Sequence, residues 1–279
     1  MITLTSYTNV MKFKQDVIPF LERHEGENNL PLGVLAGLAE DAEPQFMATF
    51  VKNGELVLVL LQTHPRQMIA AKPEYLTKEE IREIAELLHK TYPQVPGIVG
   101  ETSFITELAP HLSHMQGRKH YVHINQGIYV LTKIKKAAEM TGILRKADDT
   151  DIVLATDWIY AFATEIGEPM EKEEADKRAT DMIEKGRLYL WEVDGTPVSM
   201  AAATRPTKHN ITVSYVYTPV AERKKGHASN CVAALTQVLL DAGYQTTSLY
   251  TDLANPTSNK IYMEIGYEFV MNSVLILMK

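Results

Sequence analysis

The fold is decided by residues 215–230, which read YVYTPVAERKKGHASN. A β-rich run ends near Pro219, a short cationic loop follows, and a helix is expected to begin at about Ala228, after Gly226. The first N–H groups of a helix have no partner within that helix, and they attract anions. Gly226 lets the backbone approach a bulky anion because no Cβ intervenes. The stretch therefore predicts a site for a phosphate or a pyrophosphate.

Three adjacent cations, Arg223, Lys224 and Lys225, lie in this loop. Alone they would be typical of a solvated surface loop, but their position between a strand and a glycine-led helix favours the anion site. The sequence contains no G-x-x-x-x-G-K-[ST], no G-x-G-x-x-G, no G-x-S-x-G and no H-E-x-x-H. The common nucleotide-binding, α/β-hydrolase and metalloprotease motifs are therefore not the source of the phosphate signal.

Two motifs resemble those of the GNAT N-acetyltransferase superfamily. The string R-x-x-G-x-A at residues 223–228 resembles its acyl-CoA pyrophosphate loop. Downstream, the family pattern N-x-x-A-x-x-x-Y-x-x-x-G-[FY] is matched at Asn255, Tyr262, Gly266 and Tyr267, with Ser258 in place of the usual alanine. Two motifs in the right order, with a helix and a strand between them, are more specific than either alone. The resemblance covers about residues 187–277.

The resemblance implies an α/β (α+β) fold in which a mixed, mostly antiparallel sheet is flanked by helices. It also implies acetyl-CoA as a cosubstrate, with no metal. The residues that the resemblance assigns to acetyl-CoA are Val216, Tyr217, Thr218, Arg223, Lys224, Lys225, Gly226, His227, Ala228, Ser229, Asn255, Ser258 and Asn259. Acetyl-CoA is expected to lie where the strand ending near Thr218 splays from the next strand, with its pantetheine arm bonded to the backbone of that strand end.

The implied activity is N-acetyl transfer, directly from the CoA thioester to a primary amine without a covalent enzyme intermediate. The resemblance assigns Tyr262 as the general acid that protonates the departing thiolate. A phenol, with a pKa of about 10, keeps its proton at neutral pH and suits that role. A non-catalytic acyl-CoA-binding or regulatory module remains an alternative, as does a transferase that uses another acyl-CoA or another acceptor atom.

The general base is left open by the sequence. Many relatives carry a glutamate in the strand before the loop, but residues 211–218 contain no carboxylate. A water chain, Glu222, His209 or a residue of the N-terminal half could serve. The loop entry also departs from the family pattern, because Val220 stands where a proline is usual. The acceptor is expected to be a small-molecule or peptide amine.

The N-terminal half repeats the element order of the C-terminal half. Asn53-Gly54 and Asp194-Gly195 each predict a tight hairpin turn, and Thr77 with Glu80 predicts a capping box at a helix start. The N-terminal half has no R-x-x-G-x-[GA]. We therefore expect two tandem related units, a degenerate one at residues 1–138 and the acetyl-CoA-binding catalytic one at residues 139–279, joined by a basic, solvated connector.

The amino-acid composition and net charge exclude several further classes of function. The 279 residues carry a net charge of −7, which argues against nucleic-acid binding because that affinity depends on cationic surface. The one cysteine, Cys231, cannot form an intrachain disulfide and is expected to be a small buried residue. The first residues do not show the basic region and following apolar run of a signal peptide, and no apolar stretch approaches the roughly 20 residues of a membrane span. Neither secretion nor membrane association is therefore expected. The prediction is a cytoplasmic protein, with no oligomer indicated.

Overall fold

The computed structural model describes residues 1–139 and 141–279, which form two compact units. The N-terminal unit contains Met1–Tyr129, Tyr250–Pro256 and Phe269–Lys279, and the C-terminal unit contains Val130–Leu249 and Thr257–Glu268. The units thus differ from the contiguous ranges 1–138 and 139–279, because the last strand of the chain belongs to the N-terminal unit.

The first half of the chain forms six strands and four helices. They are β1 (Ile2–Ser6), α1 (Val10–Leu21), α2 (Asn29–Gly37), β2 (Phe46–Lys52), β3 (Glu55–His64), β4 (Gln67–Ala70), α3 (Lys78–Thr91), β5 (Gly97–Glu101), α4 (Thr102–Met115) and β6 (His120–Leu131). A 3₁₀ turn at Glu22–His24 extends α1.

The second half forms the same elements in the same order. They are β7 (Ile143–Lys146), α5 (Ile152–Glu165), α6 (Lys172–Glu184), β8 (Leu188–Val193), β9 (Thr196–Thr204), β10 (Asn210–Tyr217), α7 (His227–Asp241), β11 (Thr246–Asp252), α8 (Pro256–Ile265) and β12 (Glu268–Met278). Short 3₁₀ turns occur at Asp149–Asp151 and Val220–Glu222. The shared order confirms the prediction of two tandem related units.

The pairing of the strands also repeats. β1, β2, β3 and β4 pair antiparallel in sequence, and β4 pairs parallel with β5. In the other unit β7, β8, β9 and β10 pair antiparallel, and β10 pairs parallel with β11. Apolar clusters join the first sheet to α1 and α2 and to α3 and α4, and the second sheet to α5 and α6. The fold-class prediction is therefore confirmed.

Both predicted hairpins form two-residue turns. Asn53 and Gly54 have φ of 53° and 89°, and Asp194 and Gly195 have φ of 49° and 74°. Positive φ at both central residues defines the turn that matches the right-handed twist of paired strands. Next to the turns Lys52 pairs with Glu55 and Val193 with Thr196, and each hairpin has a register shift close by, between Phe50 and Val51 and between Trp191 and Glu192.

The last strand completes the N-terminal unit. Residues 273–277 of β12 pair antiparallel with β5, from Ser273 opposite Glu101 to Leu277 opposite Gly97. On its other side, Lys279 and Lys119 exchange two backbone hydrogen bonds of 2.7 and 2.8 Å beside β6. The strand order of this unit is therefore β1-β2-β3-β4-β5-β12-β6.

Several local expectations are wrong. Glycine and proline often interrupt regular structure, so Gly127 suggests a turn and Pro110 a helix break. Instead β6 runs through Gly127 and α4 runs through Pro110. The elements β1, α2 and β7 were not predicted. Of the five residues of β1 only Ile2 is buried, so this edge strand has almost no apolar pattern to recognise.

Basic residues of the segment that connects the two halves form hydrogen bonds and ion pairs, so this segment is not solvated along its whole length. Arg145 in β7 forms hydrogen bonds of 2.6 and 2.9 Å with Asp151 and an ion pair of 2.9 Å with Glu192. Upstream, the N–H groups of Lys135 and Lys136 donate to the carbonyl of Ile265 at 2.8 and 3.3 Å. Charge alone predicted exposure because the pairing of Arg145 with Asp151 and with the distant Glu192 depends on how the chain folds.

Candidate active site

The strands β10 and β11 part soon after they meet. They pair only from Asn210 to Thr212, opposite Thr246 to Ser248, although β10 continues to Tyr217. On its other edge β10 has an irregular register against β9 between Ser214 and Tyr217. Tyr215 within this bulge has φ of 49°, a strained backbone that a β-bulge can hold. This divergence is the one expected at the end of the strand.

A buried polar network fixes the end of β10. The hydroxyl of Ser199 in β9 donates to the carbonyl of Tyr217 at 3.0 Å and lies 2.9 Å from the hydroxyl of Thr218. The carbonyl of Thr218 accepts a hydrogen bond of 2.8 Å from Nε of Arg223. Val216, which precedes Tyr217 in the bulge, is half-buried. Since both carbonyls already have a donor, the network holds the strand end in a defined position ahead of the loop.

The loop after β10 ends in an open helix N-terminus. Lys224 and Gly226 have φ of 64° and 84°, and α7 begins at His227, one residue earlier than expected. The cap residue of α7 is Gly226, and no side chain of the described residues caps the first N–H groups of the helix, those of His227, Ala228 and Ser229. A Cβ at Gly226 would have no atom within 4 Å. The predicted anion site thus has free backbone donors and room at its glycine.

Two of the three cations in the loop are paired with carboxylates. Arg223 bonds both carboxylate oxygens of Glu165 at 2.7 and 2.8 Å, and Lys225 bonds Glu222 at 3.0 Å. Arg223 also lies over the ring of Tyr217, 5.8 Å from its centroid. Lys224 is exposed and pairs with no carboxylate in the part of the chain that the structure describes. Arg223 therefore braces the loop against α5 in this structure.

The equivalent helix start in the N-terminal unit is closed. Thr77 Oγ1 accepts a hydrogen bond of 3.3 Å from the N–H of Glu80, and the Glu80 carboxylate accepts one of 2.8 Å from the N–H of Thr77. Glu79 and Glu80 add negative charge to the first turn of α3. The loop before α3 is also held by an ion pair, in which Nζ of Lys72 lies 2.7 Å from Oε1 of Glu27. Capped donors are unavailable to an anion and the negative charge repels it, so the start of α3 is a poor anion site.

Tyr262 is buried on α8. It is 9% exposed, and its ring meets that of Tyr267 edge-on at 6.2 Å. Within residues 1–139 and 141–279 its hydroxyl makes no hydrogen bond. Burial raises the pKa of Tyr262, and the nearby Tyr267 and Cys231 raise it further. The phenol is therefore a protonated group at neutral pH, as a general acid must be.

The other motif residues of this helix lie at its start. The N–H of Asn255 donates to the carbonyl of Asp252 at 3.0 Å and closes the turn before α8. Ser258 and Asn259 lie in the first turn of α8. Cys231 in α7 is fully buried, and burial raises the pKa of its thiol to about 12. A neutral, buried thiol matches the expectation of a small core residue.

Of the two named candidates for the general base, one forms ion pairs in this structure and the other lies far from the end of β10. Glu222 holds Lys225, and its carboxylate also lies 3.5 Å from Nε2 of His227. His209 precedes β10 at the end opposite Tyr217, roughly 25 Å away along a strand of this length. A water chain and a residue of the N-terminal half stay as predictions for this role.

Several residues that shape the site carry no local sequence signal. Arg223 is held by Glu165, the end of β10 by Ser199, and Tyr267 by Thr236 and Thr247. Each of these residues is 18 to 58 residues away from its partner. Among the described residues, no three His, Cys, Asp or Glu side chains are grouped to hold a metal ion. No helix in the same part of the chain is long and apolar enough to cross a membrane.

Comparison with known proteins agrees with this geometry. Residues 154–267 match the acetyltransferase (GNAT) family. These residues form a GNAT acetyltransferase domain. They contain the splayed β10, the open start of α7 and Tyr262, so these features lie within the part of the chain that is similar to the family. No functionally curated protein matches the chain significantly.

Solved structures show the same fold over the whole chain. A GNAT acetyltransferase from Colwellia psychrerythraea is 14% identical with a TM-score of 0.64, and the match covers 99% of each chain. A GCN5-related N-acetyltransferase from Sphaerobacter thermophilus is 13% identical with a TM-score of 0.61, over 100% of this chain and 95% of that one. A tandem GNAT protein from the clavulanic acid biosynthesis pathway is 8% identical with a TM-score of 0.56, over 100% and 98%. The fold of this chain is thus similar over its whole length to that of a protein described as a tandem GNAT protein.

Proposed function

We propose that the protein is an acetyl-CoA-dependent N-acetyltransferase with one active site, in the C-terminal half of the chain. The observation that carries the proposal is the uncapped N-terminus of α7, which follows the splayed end of β10 within the GNAT domain. The α3 start has the corresponding place in the repeat and is closed by its capping box. The contrast between two related helix starts supports a single cosubstrate site.

The loop residues would bind the pyrophosphate of acetyl-CoA mainly through backbone N–H groups. Those of His227, Ala228 and Ser229 are the free donors, and the helix dipole adds to their attraction for an anion. Lys224 supplies an exposed positive charge, and Lys225 can exchange Glu222 for a phosphate. The assignment of Val216, Tyr217, Thr218, Asn255, Ser258 and Asn259 to the pantetheine arm follows the family motifs.

The reaction requires two proton movements. The amine nitrogen of the acceptor attacks the thioester carbonyl, and the C–S bond breaks to release the CoA thiolate. Tyr262 donates its proton to that sulfur, and the new amide loses a proton from nitrogen to a base. Because burial keeps the phenol protonated, Tyr262 suits the first transfer. We propose a small-molecule or peptide amine as the acceptor, for which a net charge of −7 is favourable.

A non-catalytic acyl-CoA-binding module is the second candidate. It is favoured by the placement of the two candidate bases, since Glu222 is bound by Lys225 and His209 lies at the far end of β10. A transferase for another acyl-CoA would use the same loop. We further propose that the protein acts in the cytoplasm, without a nucleic-acid or membrane partner.

Two measurements separate these functions. Calorimetry with acetyl-CoA and with free CoA tests binding, and we expect both to bind because both carry the pyrophosphate. A thiol-release assay with acetyl-CoA, propionyl-CoA and a panel of primary amines tests turnover. Binding with amine-dependent thiol release supports the transferase, binding without release supports the module, and no binding would contradict both.

A further inference from the structure

A second buried tyrosine lies beside Tyr262 and is fixed by two hydroxyl groups. Tyr267 is 2% exposed and follows directly after α8 and Gly266. Its hydroxyl lies 2.8 Å from Oγ1 of Thr236 in α7 and accepts a hydrogen bond of 2.9 Å from Oγ1 of Thr247 in β11. Both threonines are 0% exposed. The phenol is therefore held from two different elements without access to water.

Tyr267 contacts Tyr262 through both side chain and backbone. The two rings are 6.2 Å apart at an angle of 69°, an edge-to-face arrangement that favours one relative orientation. The N–H of Tyr267 donates to the carbonyl of Tyr262 at 3.0 Å. Moving Tyr267 thus moves the end of α8 and the surface on which the Tyr262 ring rests.

Tyr262 depends on packing for its orientation. Its hydroxyl makes no hydrogen bond within residues 1–139 and 141–279, and the ring of Tyr267 is one of the groups that pack against it. The hydroxyl of Tyr267 already meets Thr236 and Thr247. A hydroxyl has one proton and two lone pairs, and these contacts direct the hydrogen bonding of Tyr267 away from Tyr262. The proton of Tyr262 is then available to a substrate atom.

The turn between the two tyrosines requires glycine. Gly266 has φ of 125°, and a Cβ there would lie 2.9 Å from the carbonyl oxygen of Lys133 and 3.0 Å from the N–H nitrogen of Lys135. The same segment holds the carbonyl of Ile265 through the N–H of Lys135 at 2.8 Å. The last turn of α8 is thus anchored by the segment of Lys133 and Lys135 in addition to the hydrogen bonds of the Tyr267 hydroxyl.

We propose that Tyr267 is a positioning residue for Tyr262, and that the hydroxyl groups of Thr236 and Thr247 fix the ring on which Tyr262 rests. The proposal rests on the proposed function, because it presumes that Tyr262 donates the proton. If Tyr267 has this role, an aromatic ring at position 267 is not sufficient and its hydroxyl group is required. Tyrosine can be held by the two threonines, whereas phenylalanine cannot.

The first test needs no activity. Ligand-free protein labelled with ¹³C at the tyrosine ring is compared by NMR with Tyr267→Phe, Thr247→Val and, as the control, Tyr189→Phe. Tyr189 is a similarly buried tyrosine in β8. We expect the Tyr262 ring resonances to shift or broaden in Tyr267→Phe and Thr247→Val and to stay in place in Tyr189→Phe. Unchanged Tyr262 resonances in both site variants would overturn the proposal, whether or not the protein is a transferase.

The second test is a double-mutant cycle on the turnover of acetyl-CoA. We expect Tyr267→Phe to lower kcat about tenfold, with KM for acetyl-CoA within about twofold of the wild type, since misplacement of a reacting group by less than 1 Å is costly. In a Tyr262→Phe background the same change should alter kcat by less than about twofold, because there is no phenol left to position. Equal losses in both backgrounds would show a merely structural role.

The outcomes separate the two proposals. If Tyr262→Phe lowers kcat and Tyr267→Phe does not, the positioning role fails and the transferase stands. If the wild type shows no thiol release with any amine, the transferase fails, and the NMR comparison alone decides whether Tyr267 orients Tyr262. Thr247→Val removes one hydrogen bond and keeps the ring, so it provides the comparison if Tyr267→Phe does not fold.

Discussion

At the scale of single residues, two glycines at opposite ends of α7 form a matched pair. Gly226 and Gly243 have φ of 84° and 104°, and a Cβ at either would meet no atom within 4 Å. We expect Gly226→Val and Gly243→Val to lower stability by similar amounts, since both strain the backbone. Only Gly226→Val should weaken binding of acetyl-CoA, by at least about tenfold, because its side chain occupies the path of the pyrophosphate.

Calorimetric titration of both variants with acetyl-CoA, alongside their melting temperatures, checks this prediction. Retained affinity in Gly226→Val, or an equal loss of affinity in Gly243→Val, would show that the start of α7 is not where the pyrophosphate binds.

Tyr262 carries the second prediction at this scale. Tyr262→Phe should lower kcat about 10²- to 10⁴-fold, the range for loss of a general acid, and leave KM for acetyl-CoA nearly unchanged. Because burial raises the pKa of Tyr262, the wild-type rate should not fall as the pH rises to about 10, where an ordinary tyrosine begins to lose its proton. Steady-state rates across that pH range test both statements; an unchanged kcat in the variant contradicts the assignment.

The roles of Gly226 and Tyr262 follow from local patterns, and the role of Arg223 does not. Spacing predicted its place in the loop. Its bonds to Glu165 and to the carbonyl of Thr218 join it to another helix and to the strand end. Such partners depend on how α5 packs on the sheet, which one sequence does not reveal.

At the scale of elements, the N-terminus of α3 shows what a closed helix start contributes. Thr77→Ala removes the acceptor of the hydrogen bond from Glu80, and the loss of such a cap costs about 1 kcal/mol of stability. We expect the urea midpoint to fall accordingly, while affinity for acetyl-CoA stays the same. Thr91→Ala at the exposed other end of α3 is the control and should change stability less. A loss of affinity in Thr77→Ala would mean that α3 takes part in cosubstrate binding.

The ion pairs of β7 predict how stability changes with pH. The Arg145 guanidinium holds the pKa of Asp151 below its ordinary value, chiefly by hydrogen bonding. A lowered folded-state pKa contributes stability above the unfolded pKa of about 4, and this contribution is lost as the pH falls through the folded value. Asp151→Asn should not show this loss of stability at low pH. Asp149→Asn, a change at an exposed neighbouring residue, should still show it.

Urea unfolding between about pH 2 and 7 measures the effect. If Asp151→Asn and the wild type lose stability in parallel as the pH falls, the Arg145 pair makes no net contribution.

Elements with strong local signals were predictable, and weakly patterned edge elements were not. The capping box of α3 and the two hairpin turns require particular residues at particular φ values, so three or four residues suffice to predict them. In contrast β7 is a four-residue edge strand that reads as a basic linker. The helix α2 begins at Asn29 without a side-chain cap, because Asn28 instead bonds Leu21 and Lys72.

At the scale of the whole molecule, the last strand makes the N-terminal unit depend on distant sequence. A fragment of residues 1–131 should be poorly folded, because the edge of β5 and the apolar cluster next to it lack β12. Adding a peptide of residues 268–279 should raise its melting temperature and its far-UV signal. The same peptide with Ile276→Lys is the control, since Ile276 is 2% exposed in that cluster. Equal effects of the two peptides would contradict the role given to β12.

The tandem organisation could be predicted from element order, but the partner of the last strand could not. The motifs around Gly226 and Tyr262 predicted the fold class, and the repeated hairpins predicted a second unit. Residues 273–277 pair with a strand about 175 residues earlier. Their apolar pattern fits the edge of β5 as well as that of any other buried strand, so pattern alone does not choose between them.

The place of β12 has a consequence for biosynthesis. Residues 1–131 emerge from the ribosome early, and the strand that borders β5 is synthesised about 150 residues later. At about 5–20 residues per second this interval is on the order of 10 s. During it the nascent chain exposes an unpaired strand edge, which is the kind of surface that chaperones shield from aggregation. The N-terminal unit is therefore translated first and completed last.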